Sequence, residues 1–173
     1  MSVARTLSAP SYRIHYGIPF VYGLAETGAL NEAREVLEEQ RRAIAGTALT
    51  CFDPLLLAVE ARIEELDGNV DRSIVLVRAM WRCAVSTGHG DYLHWVKPWV
   101  VRFADLALRE DVETTYVVRL IHRHGWQAGP GCSECWPWPV KIHALGRFTL
   151  RVGGEVPRHG RKAPRRPWNS CVC

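Results

Sequence analysis

Four cysteines in the C-terminal part of the chain have a spacing that could do chemistry. Cys132 and Cys135 form a CxxC, and Cys171 and Cys173 form a CxC. A CxxC brings two thiolates to one tetrahedral ion, and four thiolates complete a structural zinc site. The CxC spacing suits a second ligand pair poorly, so these four are retained as weak metal candidates only. The seven histidines, His15, His89, His94, His122, His124, His143 and His159, include no HExxH pair. No GxxxxGK[ST] loop occurs, and the run from Gly154 to Arg161 has the wrong spacing and the wrong final residues for one. No catalytic residue and no cofactor follow from these patterns, so the chain is expected to act by binding and not as an enzyme.

Charge and aromatic content point to binding in two places. Residues 136–173 carry eight Lys or Arg against the single Glu155, so that segment is +7 while the rest of the chain is −3. Arg158, Arg161, Lys162, Arg165 and Arg166 form the densest part, and such a cluster holds phosphates without reading sequence. The same charges also fit an ordinary solvated basic segment. Trp95 and Trp99 lie to one side of an apolar helix stripe, where they either line a groove for a partner peptide or fill space against a neighbouring helix.

The elements that must position these residues are helical over most of the chain. After an aperiodic start at residues 1–11, Ile14, Ile18, Val21, Tyr22 and Ala25 run at near-helical spacing, although Gly17 and Pro19 weaken that reading. Leu30, Ala33, Leu37 and Ile44 form an apolar stripe opposite Glu32, Glu35, Glu38, Arg41 and Arg42. Asp53-Pro54 has the form of a helix start, with Leu55, Val59, Ile63 and Leu66 behind it. Val70, Ile74, Val77, Trp81 and Ala84 continue after the break at Gly68-Asn69. Leu93, Val96, Val100, Phe103 and Ala107 imply a further helix, which Pro98 either bends or delays. The β-branched run Thr114–Val118 favours a strand locally, but Val112, Tyr116, Leu120 and Ile121 keep helical spacing. Arg119, His122, Arg123 and His124 then suit a helix C-terminus, and Gly125 can end it.

The breaks recur. Gly28, Leu30, Ala33 and Leu37 return forty positions later as Gly68, Val70, Ser73 and Val77, with a looser third copy at Glu110, Val112 and Thr115. Helix pairs at this period predict a tetratricopeptide-like solenoid over residues 12–125; an ordinary helical bundle is the alternative. Residues 126–139, rich in Gly, Pro and Trp, read as a linker. Beyond it Val140, Ile142 and Ala144, and then Phe148, Leu150 and Val152, alternate with polar residues, and Gly153-Gly154 supplies a two-residue turn. The expected fold is therefore mainly α, antiparallel helix pairs followed by a short antiparallel β meander.

That last stretch also resembles a known family. WPWP, then IHALGRFTLRVGGE, then RKAPRRP, within Trp136 to Pro167, is similar to the start of the winged-helix domain in large bacterial transcriptional regulators. In these proteins helical repeats precede an OmpR-type winged helix, often joined to a bacterial transcriptional activator domain. The resemblance implies transcription control, with the repeats sensing a protein partner or small-molecule effector and the winged helix binding DNA. It also implies a departure. In the family the proline of the basic segment opens a Leu-rich helix, whereas here Pro167 is followed by Trp168, Asn169, Ser170, Cys171, Val172 and Cys173. Residues 140–173 would then be an incomplete winged-helix start that lacks the recognition helix, and specific DNA binding by this chain alone is not expected. Sequence-independent nucleic-acid binding and a small zinc protein are the alternative functions.

Composition sets the remaining bounds. At 173 residues and 47% hydrophobic content there is room for one ordinary domain and a fragment. No apolar run of signal or membrane-spanning form is visible, so the expectation is a cytoplasmic protein without a membrane partner, its six cysteines held as thiols.

Overall fold

The computed structural model describes residues 10–146 and 148–157. They divide into two compact units, with the boundary between Trp136 and Pro137. The first unit contains helices α1 (Pro10–Glu26), α2 (Leu30–Ile44), α3 (Asp53–Leu66), α4 (Val70–Thr87), α5 (Lys97–Arg109) and α6 (Thr114–His124). Short 3-10 turns at Thr50–Phe52 and Gly90–Val96 lead into α3 and α5. The helices form the pairs α1/α2, α3/α4 and α5/α6, as the forty-residue period implies.

Each pair is closed by the same backbone device. After α1 the Ala29 N–H donates to the Leu24 carbonyl at 2.9 Å and the Gly28 N–H to Ala25 at 3.1 Å. After α3 the Asn69 N–H donates to Glu64 at 2.9 Å and the Gly68 N–H to Glu65 at 3.2 Å. These are Schellman closures, which need a left-handed residue, and Gly28 and Gly68 supply φ of 83° and 84°. After α5 the Val112 N–H donates to Ala107 at 2.9 Å, and Asp111 takes the left-handed position with φ 53°. The third turn therefore matches Gly68 at Asp111, and not at Glu110 as the sequence alignment had it.

Glu113 (φ 49°) makes this turn one residue longer than the other two, and Ala29, Asn69 and Glu113 stand immediately before α2, α4 and α6. By that alignment Ala33 and Ser73 correspond to Val117, and Leu37 and Val77 to Ile121; all six are buried. Ser73 shows why the position is small in the second pair, because its hydroxyl donates to the Ala61 carbonyl of α3 at 2.8 Å.

Each helix buries a stripe, although not always the one the spacing picked. In α1, Ile14, Ile18, Val21 and Ala25 are buried as expected, and Pro19 is accommodated inside the helix. Gly17 leaves room for Gln40 of α2, whose side-chain end would lie 2.4 Å from a Cβ there and would have to shift for any larger residue. Helix α3 buries Leu56, Ala58 and Ala61 in addition to Leu55, Val59 and Ile63, because it packs against several neighbours, while Leu66 is exposed. In α4 Val77, Trp81 and Ala84 are buried as expected, but Leu76 and Met80 complete the stripe in place of Val70, which is exposed, and Ile74, which is half-buried. Pro98 stands in the first turn of α5, so it delays the helix and does not bend it. The β-branched run at Thr114–Val118 is helical, since Val117, Leu120 and Ile121 gain more from burial than the strand preference is worth.

Residues 126–136 are not a free linker. Trp126 and Trp136 are buried in the first unit, and Asp105 of α5 accepts from the Ser133 backbone N–H at 2.8 Å and from its hydroxyl at 2.7 Å. Repeated ion pairs join successive first helices. Arg62 of α3 reaches Glu26 of α1 at 2.9 Å, and forty residues later Arg102 of α5 pairs with Glu65 of α3.

The second unit is a two-stranded antiparallel hairpin, β1 (Val140–His143) and β2 (Thr149–Val152). Val140 pairs with Val152 and Ile142 with Leu150, while Lys141 pairs with Arg151 and His143 with Thr149. One face is thus aliphatic and the other basic and polar. Gly153 and Gly154, at φ 59° and 86°, turn the chain so that Glu155 bridges back to Val152. The frayed start expected for residues 1–11 lies outside the described residues up to residue 9, and Pro10 already belongs to α1.

Candidate interaction surface

Trp95 is at the end of the Gly90–Val96 turn, just before α5. Leu93 and Val96 are buried on either side of it, so the 3-10 geometry sends the Trp95 ring outward, and it is 41% exposed. Its ring meets His15 of α1 edge-on at 4.9 Å and Tyr92 edge-on at 5.4 Å, and it lies 6.0 Å from Phe52. Tyr16, next to His15, is 55% exposed, and Phe20, one turn further along α1, is 38% exposed. The helix period explains the arrangement. Ile14, Ile18 and Val21 take the core side of α1, which leaves Tyr16 and Phe20 on its outer side. Ring contacts thus run from Tyr16 through His15 to Trp95 and Tyr92, a shelf across α1 and the 3-10 turn with aromatic bodies and polar edges of the kind enriched at interfaces.

Trp99 does not share this surface, and its assignment to a partner groove is corrected. It is 3% exposed, stacks on Tyr22 at 4.4 Å, and donates from Nε1 to Glu26 at 2.8 Å. Arg62 lies over its other side, 5.9 Å from the ring centre. Burial works against the Arg62 charge, but the hydrogen bonds it donates to Glu65 and Glu26, together with their negative charges, outweigh that and hold the guanidinium above its ordinary value. Four residues after Trp95, Trp99 is already helical and faces α1, so it ties α1, α3 and α5 together.

A second concavity of about 590 Å³ is lined by Arg41, Asp53, Glu60, Arg72, Leu76 and Cys83. Within it Arg41 pairs with Glu60, and Arg72 lies 3.6 Å from the same carboxylate. Burial pushes the Cys83 thiol up, and Asp53 adds in the same direction.

The remaining sequence candidates fall elsewhere. Cys132 is half-buried and Cys135 exposed, both as free thiols. Burial raises the Cys132 thiol; a hydrogen bond with the Gly129 backbone opposes this in part, and the Asp105 charge adds a smaller upward push. Among the described residues, no group of three or more His, Cys, Asp or Glu side chains is arranged to hold a metal ion. Cys171, Cys173, Arg158, Arg161, Lys162, Arg165 and Arg166 lie outside the described residues.

Sequence reasoning named Trp95 but missed Tyr16, Phe20, Phe52 and Tyr92. The signal for the first two was present, since both sit at i, i+4 off the buried stripe of α1. The packing of the 3-10 turn against α1 was not readable.

The fold defines a class, a body of antiparallel helix pairs followed by a short antiparallel hairpin, with exposed aromatic rings on α1 and the 3-10 turn. Nothing more particular is identified: no protein-family model matches the chain, and neither a curated protein nor a solved structure matches it. Among the described residues, no helix is long and apolar enough to cross a membrane.

Proposed function

We propose that the helical body is the partner-binding, regulatory segment of a transcriptional regulator, acting in the cytoplasm by association and not by catalysis. The shelf of exposed Tyr16 and Trp95, joined through His15 and flanked by half-buried Tyr92, carries the binding part of this reading. Large amphipathic rings gain most when a partner covers them and lose little side-chain entropy on doing so. The regulatory part is supported by the WPWP, IHALGRFTLRVGGE and RKAPRRP segments, which resemble winged-helix regulators.

The test places a photo-crosslinking phenylalanine analogue at Tyr16 of the full chain in its own host. A discrete protein adduct that disappears with Trp95→Ala is expected, together with altered levels of a limited set of transcripts in a strain that lacks the chain. No adduct from Tyr16, or unchanged transcripts, overturns the corresponding half of the proposal.

The +7 charge of residues 136–173 favours one second reading, sequence-independent nucleic-acid binding. It predicts affinity for duplex DNA of arbitrary sequence that falls steeply with salt and is lost when Arg158, Arg161, Lys162, Arg165 and Arg166 are neutralised. Absent or salt-insensitive binding removes it.

A further inference from the structure

The hairpin leaves one edge bare. Glu155 exchanges both backbone bonds with Val152, its N–H donating at 3.1 Å and its carbonyl accepting from the Val152 N–H at 2.8 Å, so the polar backbone groups of Val152 point away from β1. The adjoining rung between the strands runs from the Gly153 N–H to the Pro139 carbonyl at 2.9 Å. In an antiparallel ladder bonded and non-bonded pairs alternate, so Lys141–Arg151 and His143–Thr149 carry the bonds between β1 and β2, and Val140–Val152 and Ile142–Leu150 do not. The N–H and C=O groups of Val140 and Ile142 are therefore directed outward from β1. Among the described residues nothing bonds to them.

The side chains along that edge differ by face. Val140 and Ile142 are 49% and 62% exposed, and with Leu150 and Val152 they make the aliphatic face. Lys141 and His143 stand on the other face with Arg151 and Thr149, and neither strand contains an acidic residue. A hairpin of two such short strands is marginal by itself, and a third strand extends both the ladder and the apolar face. The outer edge of β2 already receives Glu155 of the same chain, which leaves β1 as the edge for an incoming strand. Charge decides what that strand is. An antiparallel copy of β1 that bonds Val140 and Ile142 sets Lys141 opposite the copy's own lysine or, in the next register that preserves the bonds, opposite its histidine. Like charges directly opposite each other destabilise a pair, and a lysine on an edge strand guards against self-pairing. A strand with Asp or Glu at that place gains an attraction instead, strengthened by the field of Arg151.

We propose that the outer edge of β1 is a docking site for an extended segment of another protein in which acidic and aliphatic residues alternate. The acid faces Lys141, and the aliphatic residues continue the face of Val140 and Ile142. Main-chain bonds to Val140 and Ile142 hold the segment, and Lys141 selects its charge. This surface belongs to the hairpin unit, so its test is separate from that of the aromatic shelf.

The experiment titrates the full chain with a short fluorescein-labelled peptide of alternating valine and glutamate, and with its counterpart carrying lysine for glutamate, following anisotropy and backbone amide exchange by NMR. The glutamate peptide is expected to saturate at millimolar concentration or below, and the lysine peptide to bind about tenfold more weakly, the scale of replacing attractive cross-strand charge pairs by repulsive ones. Lys141→Glu should remove that difference. Bound glutamate peptide should slow exchange of the Val140 and Ile142 amides and leave those of Lys141 and His143, which already bond within the hairpin, as they were. Ile142→Pro removes an outward N–H that no rung of the hairpin uses, and should abolish binding. No binding of the glutamate peptide, equal binding of the two peptides, or a preference that Lys141→Glu leaves unchanged overturns the proposal. A dimer of the full chain that Ile142→Pro dissociates assigns the edge to a second copy and overturns it as well.

Discussion

The turns between paired helices differ in how they meet one demand. After α1 and α3 the left-handed position is glycine, and after α5 it is Asp111, with a second positive-φ residue, Glu113, two positions on. The closing bond is the same length in all three, 2.9 Å from the N–H of Ala29, Asn69 or Val112 to its helical carbonyl. The repeat is thus defined by the closure of a helix end, and glycine is only the least strained way to reach it. Where glycine is replaced, the closure survives and the turn lengthens, which is why the third pair is out of register with a period read from Gly28 and Gly68.

The comparison is broken most forcefully by separating the second pair from the third. Trp81 of α4 is fully buried, and its Nε1 donates to the Phe103 carbonyl of α5 at 3.1 Å, so one side chain joins the glycine-closed pair to the aspartate-closed one. Trp81→Ala is expected to destabilise the body by about 3–5 kcal/mol in urea unfolding, whereas Trp81→Phe keeps much of the volume and should cost less than half of that. Equal effects from the two would mean that ring volume does not hold the pairs together.

A smaller effect tests whether the pairs are interchangeable at their crossing. Ser73 and Val117 occupy the same place, but Ser73 donates to the Ala61 carbonyl while Val117 is fully buried and has no side-chain donor. Ser73→Val should lose that hydrogen bond and overpack the α3/α4 crossing, costing about 1–3 kcal/mol by the same measurement. A neutral result would show that the two crossings have equal room.

Gly68→Ala isolates the backbone. Nothing lies within 4 Å of a Cβ there, so the cost is the left-handed conformation alone, about 1 kcal/mol. A thermal unfolding curve that does not move would mean that this turn relaxes as the third one has done.

How far the sequence revealed this fold follows from the same contrast. Helix pairing and the first two closures were legible because Gly28 and Gly68 are conspicuous and the apolar spacing is helical. The third closure was placed one residue early, because nothing in Asp111 or Glu113 announces a positive φ. The buried face of α4 was misplaced in part, since Val70 and Ile74 are as apolar as Leu76 and Met80, and only the neighbouring helices decide which set is covered. Trp95 and Trp99 were equivalent on paper, and the change from 3-10 turn to α-helix between them sends one outward and one inward. Residues 126–136 read as a linker because their Gly and Pro content is that of one, while the bonds that dock them come from Asp105 and His94, far away in sequence.

The smallest predicted effect reaches the centre of the comparison. If Asp111 is strained where Gly68 is not, Asp111→Gly should stabilise the body by about 0.5 kcal/mol, the relief at φ 53° being partly offset by the greater freedom of glycine in the unfolded chain. Charge relief could produce the same sign, because Glu110 and Glu113 are close in sequence and Arg78 is already paired with Glu110 at 2.6 Å. Asp111→Asn separates the two causes. It removes the charge, keeps a side chain, and tolerates the left-handed region about as well as aspartate does. If asparagine matches glycine in differential scanning calorimetry, electrostatics explains the gain and the third turn is not strained. If only glycine stabilises, and more so together with Glu113→Gly, the third closure is the strained counterpart of the first two.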